Sequence, residues 1–169
     1  MEKRQETTFA GNPVTLLGTK VKAGDKAYDF TALNGDLTPF KLSETTGKVR
    51  IISVVPSLDT GVCELQTIRF NEEAQKLKDV QIITISMDLP FAQGRFCDSH
   101  KIGDSIVVSD HKDADFATHY GFLMEEFRLL NRGILVLDKD DTIKYVEYVE
   151  ENTNHPDYDK ALEVAKSLI

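Results

Sequence analysis

The chain has 169 residues, 41% of them hydrophobic and 28% charged, the make-up of an ordinary globular protein. It is most simply one domain, residues 1–169, able to bury about 70% of its unfolded surface without staples. A net charge of −8 argues against a nucleic-acid partner or an anionic membrane surface, and no apolar run approaches a membrane span.

In chain order, Thr7 to Val21 reads as a hairpin around Gly11-Asn12-Pro13. Ala27 to Ala32 reads as a strand closed by the turn pair Asn34-Gly35, and Leu42 to Gly47 as a loop or single helical turn. The β-branched run Val49 to Val55 is a buried strand, ended by Pro56, which has no backbone donor and a fixed φ. Beyond Gly61 the period changes. Cys63, Thr67, Phe70, Ala74 and Leu77 share one helical face, with Asp59 or Thr60 at the N-cap. Val80 to Met87 is a second buried strand, and Phe91 to Ser99 a short helix with Pro90 in its first turn. Ile106 to Ser109 is a strand, Ala114 to Tyr120 a helix stopped near Gly121, and Gly133 to Leu137 a strand. Asp140-Asp141 turns the chain into a last strand, Thr142 to Val149, and Asp157 to Ile169 is an amphipathic helix. Strands interleaved with helices specify an α/β layered domain with an N-terminal hairpin.

Cys63 therefore falls in the first turn of a helix that follows a strand and a tight loop. First-turn amides lack intrahelical acceptors and the macrodipole adds positive potential, a setting that favours thiolate over thiol. The competing reading is a small apolar residue on a buried face. Met1 to Glu6 leads into no hydrophobic signal segment, which points to the cytoplasm. Two cysteines are too few for a secreted framework, so a disulfide there would be transient and catalytic or sensory.

Pro56, Thr60 and Cys63 match, spacing included, the Pro-x-x-x-Thr-x-x-Cys signature of the peroxiredoxins. The run Pro56 to Cys63, the run Ser86 to Gln93 followed by Arg95-Phe96-Cys97, the opening Phe9 to Val14 and the closing Tyr145 to Val149 resemble the thiol peroxidase branch. The resemblance covers nearly the whole chain. It implies a thioredoxin-like fold, a central mixed sheet flanked by helices, and an atypical two-cysteine peroxidase acting on hydrogen peroxide or organic hydroperoxides. Cys63 is then the peroxidatic residue and Cys97 the resolving residue of the same chain. The resemblance also implies thioredoxin as reductant and a homodimer.

Ionisation alone gains at most about thirtyfold in reactive sulfur, and a less basic thiolate is a weaker nucleophile, so other groups must stabilise the breaking O–O bond. Thr60 and the amides of Val62 and Cys63 are candidates, and a guanidinium is the natural third. Resemblance selects Arg132, just before Gly133-Ile134-Leu135-Val136-Leu137-Asp138, although the family more often has small residues where this chain has Asn131 and Gly133. Arg69, Arg95 and Arg128 read as solvated. A disulfide needs Cα atoms within about 7 Å, so one or both helices are expected to rearrange in each cycle.

His100, His111 and His119 follow no tight zinc pattern and read as solvated. No calcium loop, nucleophile elbow or phosphate loop exists, so no metal or cofactor is expected. A disulfide oxidoreductase would want Cys-x-x-Cys, which is missing, and a non-catalytic interaction module with packed cysteines is the remaining alternative. The apolar group Phe122, Leu123, Met124 and Phe127 reads as either a substrate lip or a partner surface.

Overall fold

The computed structural model describes residues 1–169. Strands β1 (Lys3–Phe9) and β2 (Asn12–Leu17) form the N-terminal hairpin, turning at Ala10 and Gly11, both at positive φ. Two short strands, β3 (Thr31–Leu33) and β4 (Pro39–Lys41), precede a single 3-10 turn at Leu42–Thr45. Then come β5 (Val49–Val54), α1 (Gly61–Lys76), β6 (Val80–Ser86), α2 (Pro90–His100), β7 (Ile106–Ser109) and α3 (Asp115–Tyr120). The chain ends with β8 (Leu123–Met124), β9 (Leu129–Leu130), β10 (Gly133–Leu137), β11 (Ile143–Tyr148) and α4 (Tyr158–Ser167).

Seven strands make the central mixed sheet in the order β11-β10-β5-β6-β7-β3-β4. Strands β5, β6 and β7 are parallel, whereas β10 runs antiparallel to both β5 and β11. Helices cover both faces, so the inner strands are buried on both sides and read as unbroken apolar runs rather than alternating ones. Along β5 the pleat sends Val49 and Ile51 toward α1 and α4, where they meet Phe70, Ala74, Ala161 and Leu162. Ile52 and Val54 point the other way, against Phe116, Tyr120 and Phe122. Each such aliphatic side chain, buried completely, contributes about 1.5–3 kcal/mol. Ser53 lies on the α1 face of this run, fully buried, and its hydroxyl accepts the Gln66 amide at 2.9 Å.

Three expectations are corrected here. The strand expected over Ala27–Ala32 is confined to Thr31–Leu33. Upstream, Phe30 is a core residue and Asp29 spends its carboxylate on the Ser43 amide, so that stretch is fixed by single bonds rather than a ladder. Phe122, Leu123 and Met124 are not a lip. They are buried, and β8 with β9 extends the N-terminal hairpin into a second sheet of order β1-β2-β8-β9. Only Phe127 of that group is exposed, edge-on to Phe9 at 5.6 Å. His100 is half-buried, stacked on Phe96 with its Nε2 2.9 Å from a Glu64 carboxylate oxygen.

No helix is long and apolar enough to cross a membrane.

Candidate active site

Strand β5 ends at Val54, and buried Pro56 starts the loop that leads into α1. Asp88 ties this loop to the entrance of α2. Its carboxylate accepts the Ser57 hydroxyl and the Leu58 amide at 2.8 Å each, and the Ser86 hydroxyl at 2.7 Å. Thr60, in extended conformation, is the N-cap residue of α1. Its hydroxyl donates to the Ser57 carbonyl at 3.3 Å and so faces the loop rather than the sulfur.

Cys63 sits in the first turn and has no exposed surface. Val55, Leu58, Phe96 and Ile102 surround it, and Cys97 packs against the same cluster. Among all hydrogen bonds of the chain, none takes the amides of Val62 or Cys63 to a protein acceptor, as expected one turn into a helix. Thr67 donates its hydroxyl back to the Cys63 carbonyl at 2.9 Å.

Arg132, just before β10, reaches that turn, 2% exposed, with Nη2 donating to Cys63 Sγ at 3.2 Å. Its other donors go to neutral oxygens: Nη1 to Gln66 Oε1 at 3.0 Å and Nε to the Asn152 carbonyl at 2.9 Å. No carboxylate pairs with it; the only group in contact that can carry a negative charge is the Cys63 sulfur. At 3.2 Å and an effective dielectric of about 20, a thiolate and a guanidinium attract by about 5 kcal/mol, several times a neutral hydrogen bond. The residues flanking the arginine, Asn131 and Gly133, are both fixed by packing. Asn131 is fully buried and bonded on all sides, and a Cβ on Gly133 would lie 2.5 Å from the Phe122 ring and 2.2 Å from the Glu147 carbonyl.

Cys97 lies on α2, partly buried, and both cysteines are free thiols. Burial first, and the neighbouring Asp98 charge second, push the Cys97 thiol above the ordinary range. Glu64, beside Cys63, reaches His100 of α2, so the helices that carry the two sulfurs are also joined at this contact.

The structure thus brings Cys63 and Arg132 together in one buried site, with Pro56 buried at the start of the loop that leads to it, Thr60 exposed on that loop and Cys97 on the adjoining helix. Asp88 lay within the Ser86 to Gln93 run and Asn131 beside Arg132, but neither was given a role by the sequence, and Gln66 and Asn152 were not singled out; Gln66, three residues beyond Cys63, shares its helical face.

The redoxin family profile matches residues 22–162. A thiol peroxidase of Halalkalibacterium halodurans is 54% identical over 96% of this chain and 98% of its own, and one of Bacillus subtilis is 53% identical over 97% and 98%. The crystal structure of a peroxiredoxin-like protein from Aquifex aeolicus superposes with a TM-score of 0.91 at 37% identity, covering 100% of both chains. The chain belongs to the thiol peroxidase family. It is an enzyme of the peroxidase class with the thioredoxin-like fold of the peroxiredoxins, the fold described above.

Proposed function

We propose that this thiol peroxidase reduces hydrogen peroxide and organic hydroperoxides through Cys63 and Cys97, as one domain working in cytoplasmic antioxidant defence. The Cys63 thiolate attacks the terminal oxygen of the peroxide, an S–O bond forms as the O–O bond breaks, and the leaving alkoxide or hydroxide takes up a proton. Arg132 steadies the thiolate and then the charge arriving on the leaving oxygen. The free amides of Val62 and Cys63 and the Thr60 hydroxyl, which can rotate away from Ser57, offer donors to the same oxygens. Pro56 ends β5 and starts the loop that delivers Cys63 to the first turn of α1. The Cys97 thiolate then attacks the sulfenic sulfur, closing a disulfide and releasing hydroxide that leaves as water. An external dithiol, thioredoxin, reduces that disulfide by exchange, and the working form is a homodimer. Joining the sulfurs requires the first turn of α1 or all of α2 to rearrange.

The observation that carries this reading is the 3.2 Å contact between Cys63 Sγ and a buried arginine that no carboxylate neutralises. A packing cysteine would have no use for such a neighbour, since an isolated buried charge is costly. Complete burial of Cys63 alone would also suit a cysteine that only packs, but the unneutralised arginine beside it does not. Hydroperoxide consumption separates the two. Cys63→Ser should fold and consume none, whereas Cys97→Ser should react once and stall as the sulfenic acid unless a small thiol is supplied. A folded Cys63→Ser chain that consumed hydroperoxide as fast as its parent would remove Cys63 from the reaction. Unimpaired thioredoxin-driven turnover in Cys97→Ser would remove Cys97 from the cycle. Comparing kcat/KM for hydrogen peroxide and cumene hydroperoxide fixes the preferred substrate.

A further inference from the structure

The N-terminal hairpin lies outside the central sheet, yet it is wired to the active-site arginine. Asn152 is the junction. Its Oδ1 accepts the Arg132 amide at 2.7 Å, and its carbonyl accepts Arg132 Nε at 2.9 Å, so one residue holds both the backbone and the side chain of that arginine. Toward the hairpin, the Asn152 amide nitrogen and its Nδ2 both donate to the Thr8 carbonyl of β1, at 2.9 and 3.0 Å. Nδ2 donates in addition to Asn131 Oδ1 at 2.7 Å, and that oxygen also accepts the Thr7 hydroxyl at 2.8 Å. Asn131 Nδ2 returns to the Arg132 carbonyl at 2.9 Å and to the Val149 carbonyl at 3.2 Å. Thr7, Asn131 and Asn152 are all buried, at 4%, 0% and 1% exposure.

Outside this core a clamp fixes the hairpin's tip. The Glu151 carboxylate accepts the amides of Gly11 at 2.7 Å and Ala10 at 3.1 Å, together with the Thr8 hydroxyl at 2.8 Å. Bonds of this kind, foremost that from the Thr153 amide, hold its carboxyl down to about 2. The hairpin is therefore anchored on the residue next to the one that grips Arg132.

We propose that Thr7, Asn131 and Asn152 are positioning residues for Arg132, which makes the N-terminal hairpin a working part of the active site. The physical need is directional. Moving a guanidinium from 3.2 Å to about 4.2 Å from the sulfur weakens the Coulomb attraction by only about a quarter but breaks the hydrogen bond. Arg132 has no carboxylate to hold its fork in place, and neutral amide oxygens do so instead. The network rests on the peroxidase reading above for its purpose, but the thiolate absorbance of Cys63 in Cys97→Ser protein reports on it with no peroxide present, so failure of either can be told from failure of the other.

The test is a double-mutant cycle. Asn152→Ala should lower the second-order rate of Cys63 with hydrogen peroxide by tenfold or more, within the roughly hundredfold that a misplaced group costs, and should move the thiolate absorbance to higher pH. In an Arg132→Lys background the same substitution should cost less than about twofold, because no guanidinium remains to be aimed at the sulfur. Thr45→Ala, which removes a buried hydroxyl from the opposite end of the sheet, serves as the control that loses stability without losing rate. A rate and absorbance unchanged in Asn152→Ala would overturn the proposal, as would an undiminished loss in the Arg132→Lys background. Should Asn152→Ala fail to fold, the same two readouts apply to Thr7→Val, which deletes only the donor to Asn131. A fall of about threefold supports the network and no change rejects it.

Discussion

Two arginines are buried in this molecule, one at each end of the β5–β10 pair, and their surroundings differ. Arg50, with no exposed side-chain surface, donates to the Asp141 carboxylate, the Asp138 carbonyl and the Thr45 hydroxyl, and its Nε has no partner at all. Arg132 has every donor group engaged but no carboxylate among its partners. The first charge is cancelled on the spot and serves the fold. The second is held ready by neutral oxygens, so that its field falls on the Cys63 sulfur. Burial alone does not distinguish them; the counter-ion does.

The comparison breaks most visibly under substitution by methionine. Arg132→Met should lower hydroperoxide turnover about 10²–10³-fold, the usual cost of removing one preorganised donor. Its unfolding midpoint should stay level or rise, because a buried charge without a partner ion is itself costly. Arg50→Met should show the opposite pattern, with altered stability and parental turnover. Peroxide-consumption assays and thermal melts on the two variants decide it. Parental turnover in Arg132→Met would erase the distinction drawn here.

A subtler change sharpens the same contrast from the side of the counter-ion. Asp141→Asn leaves the Arg50 charge without its carboxylate. Stranding a buried charge can cost 3–5 kcal/mol, but the Asp141 side chain is 25% exposed and water screens part of the effect, so a loss of about 1–2 kcal/mol is expected. Asp141 sits at φ 64°, where asparagine is also tolerated, so the substitution adds no backbone strain. Chemical denaturation should show the loss with peroxidase activity intact. A fall in activity instead would mean that the two ends of the sheet are coupled.

How much of this was readable beforehand follows from the range of each interaction. The face Cys63, Thr67, Phe70, Ala74 marks α1 because helix periodicity is local, and the run Val49 to Val55 marks β5 because both of its sides are covered. That same run hides Arg50, whose cancelling partner is 91 residues away. Strands β8 and β9 are two residues each and exist only because the hairpin offers them an edge, so nothing in Leu123-Met124 distinguishes them from a surface patch. Family likeness pointed to Arg132 beside the cysteine, and it stands 3.2 Å from the sulfur. It could not point to Asn152, whose value lies in contacts with Thr8 and Arg132 that only the folded chain creates. The choice of Asn131 and Gly133 beside the arginine becomes intelligible once Thr7 and Phe122 are seen beside them.

The contrast between a neutralised and an unneutralised charge extends, with the smallest expected effect, to the second sulfur. Cys63 has a guanidinium beside it, whereas Cys97 has burial and the Asp98 carboxylate, both of which favour the protonated thiol. Only the thiolate attacks, so disulfide formation should accelerate as pH rises through and above neutrality, by about tenfold per unit while the thiol remains mostly protonated. Asp98→Asn removes the lesser of the two causes, lowers the thiol toward its ordinary value and should speed the step at neutral pH by about twofold, leaving the slope unchanged. Rapid mixing of reduced enzyme with one equivalent of peroxide, followed by acid trapping of the disulfide, measures both. A rate independent of pH would place the limit in the opening of α1 or α2 instead. In that case the Glu64–His100 contact across the two helices would be the first thing to cut.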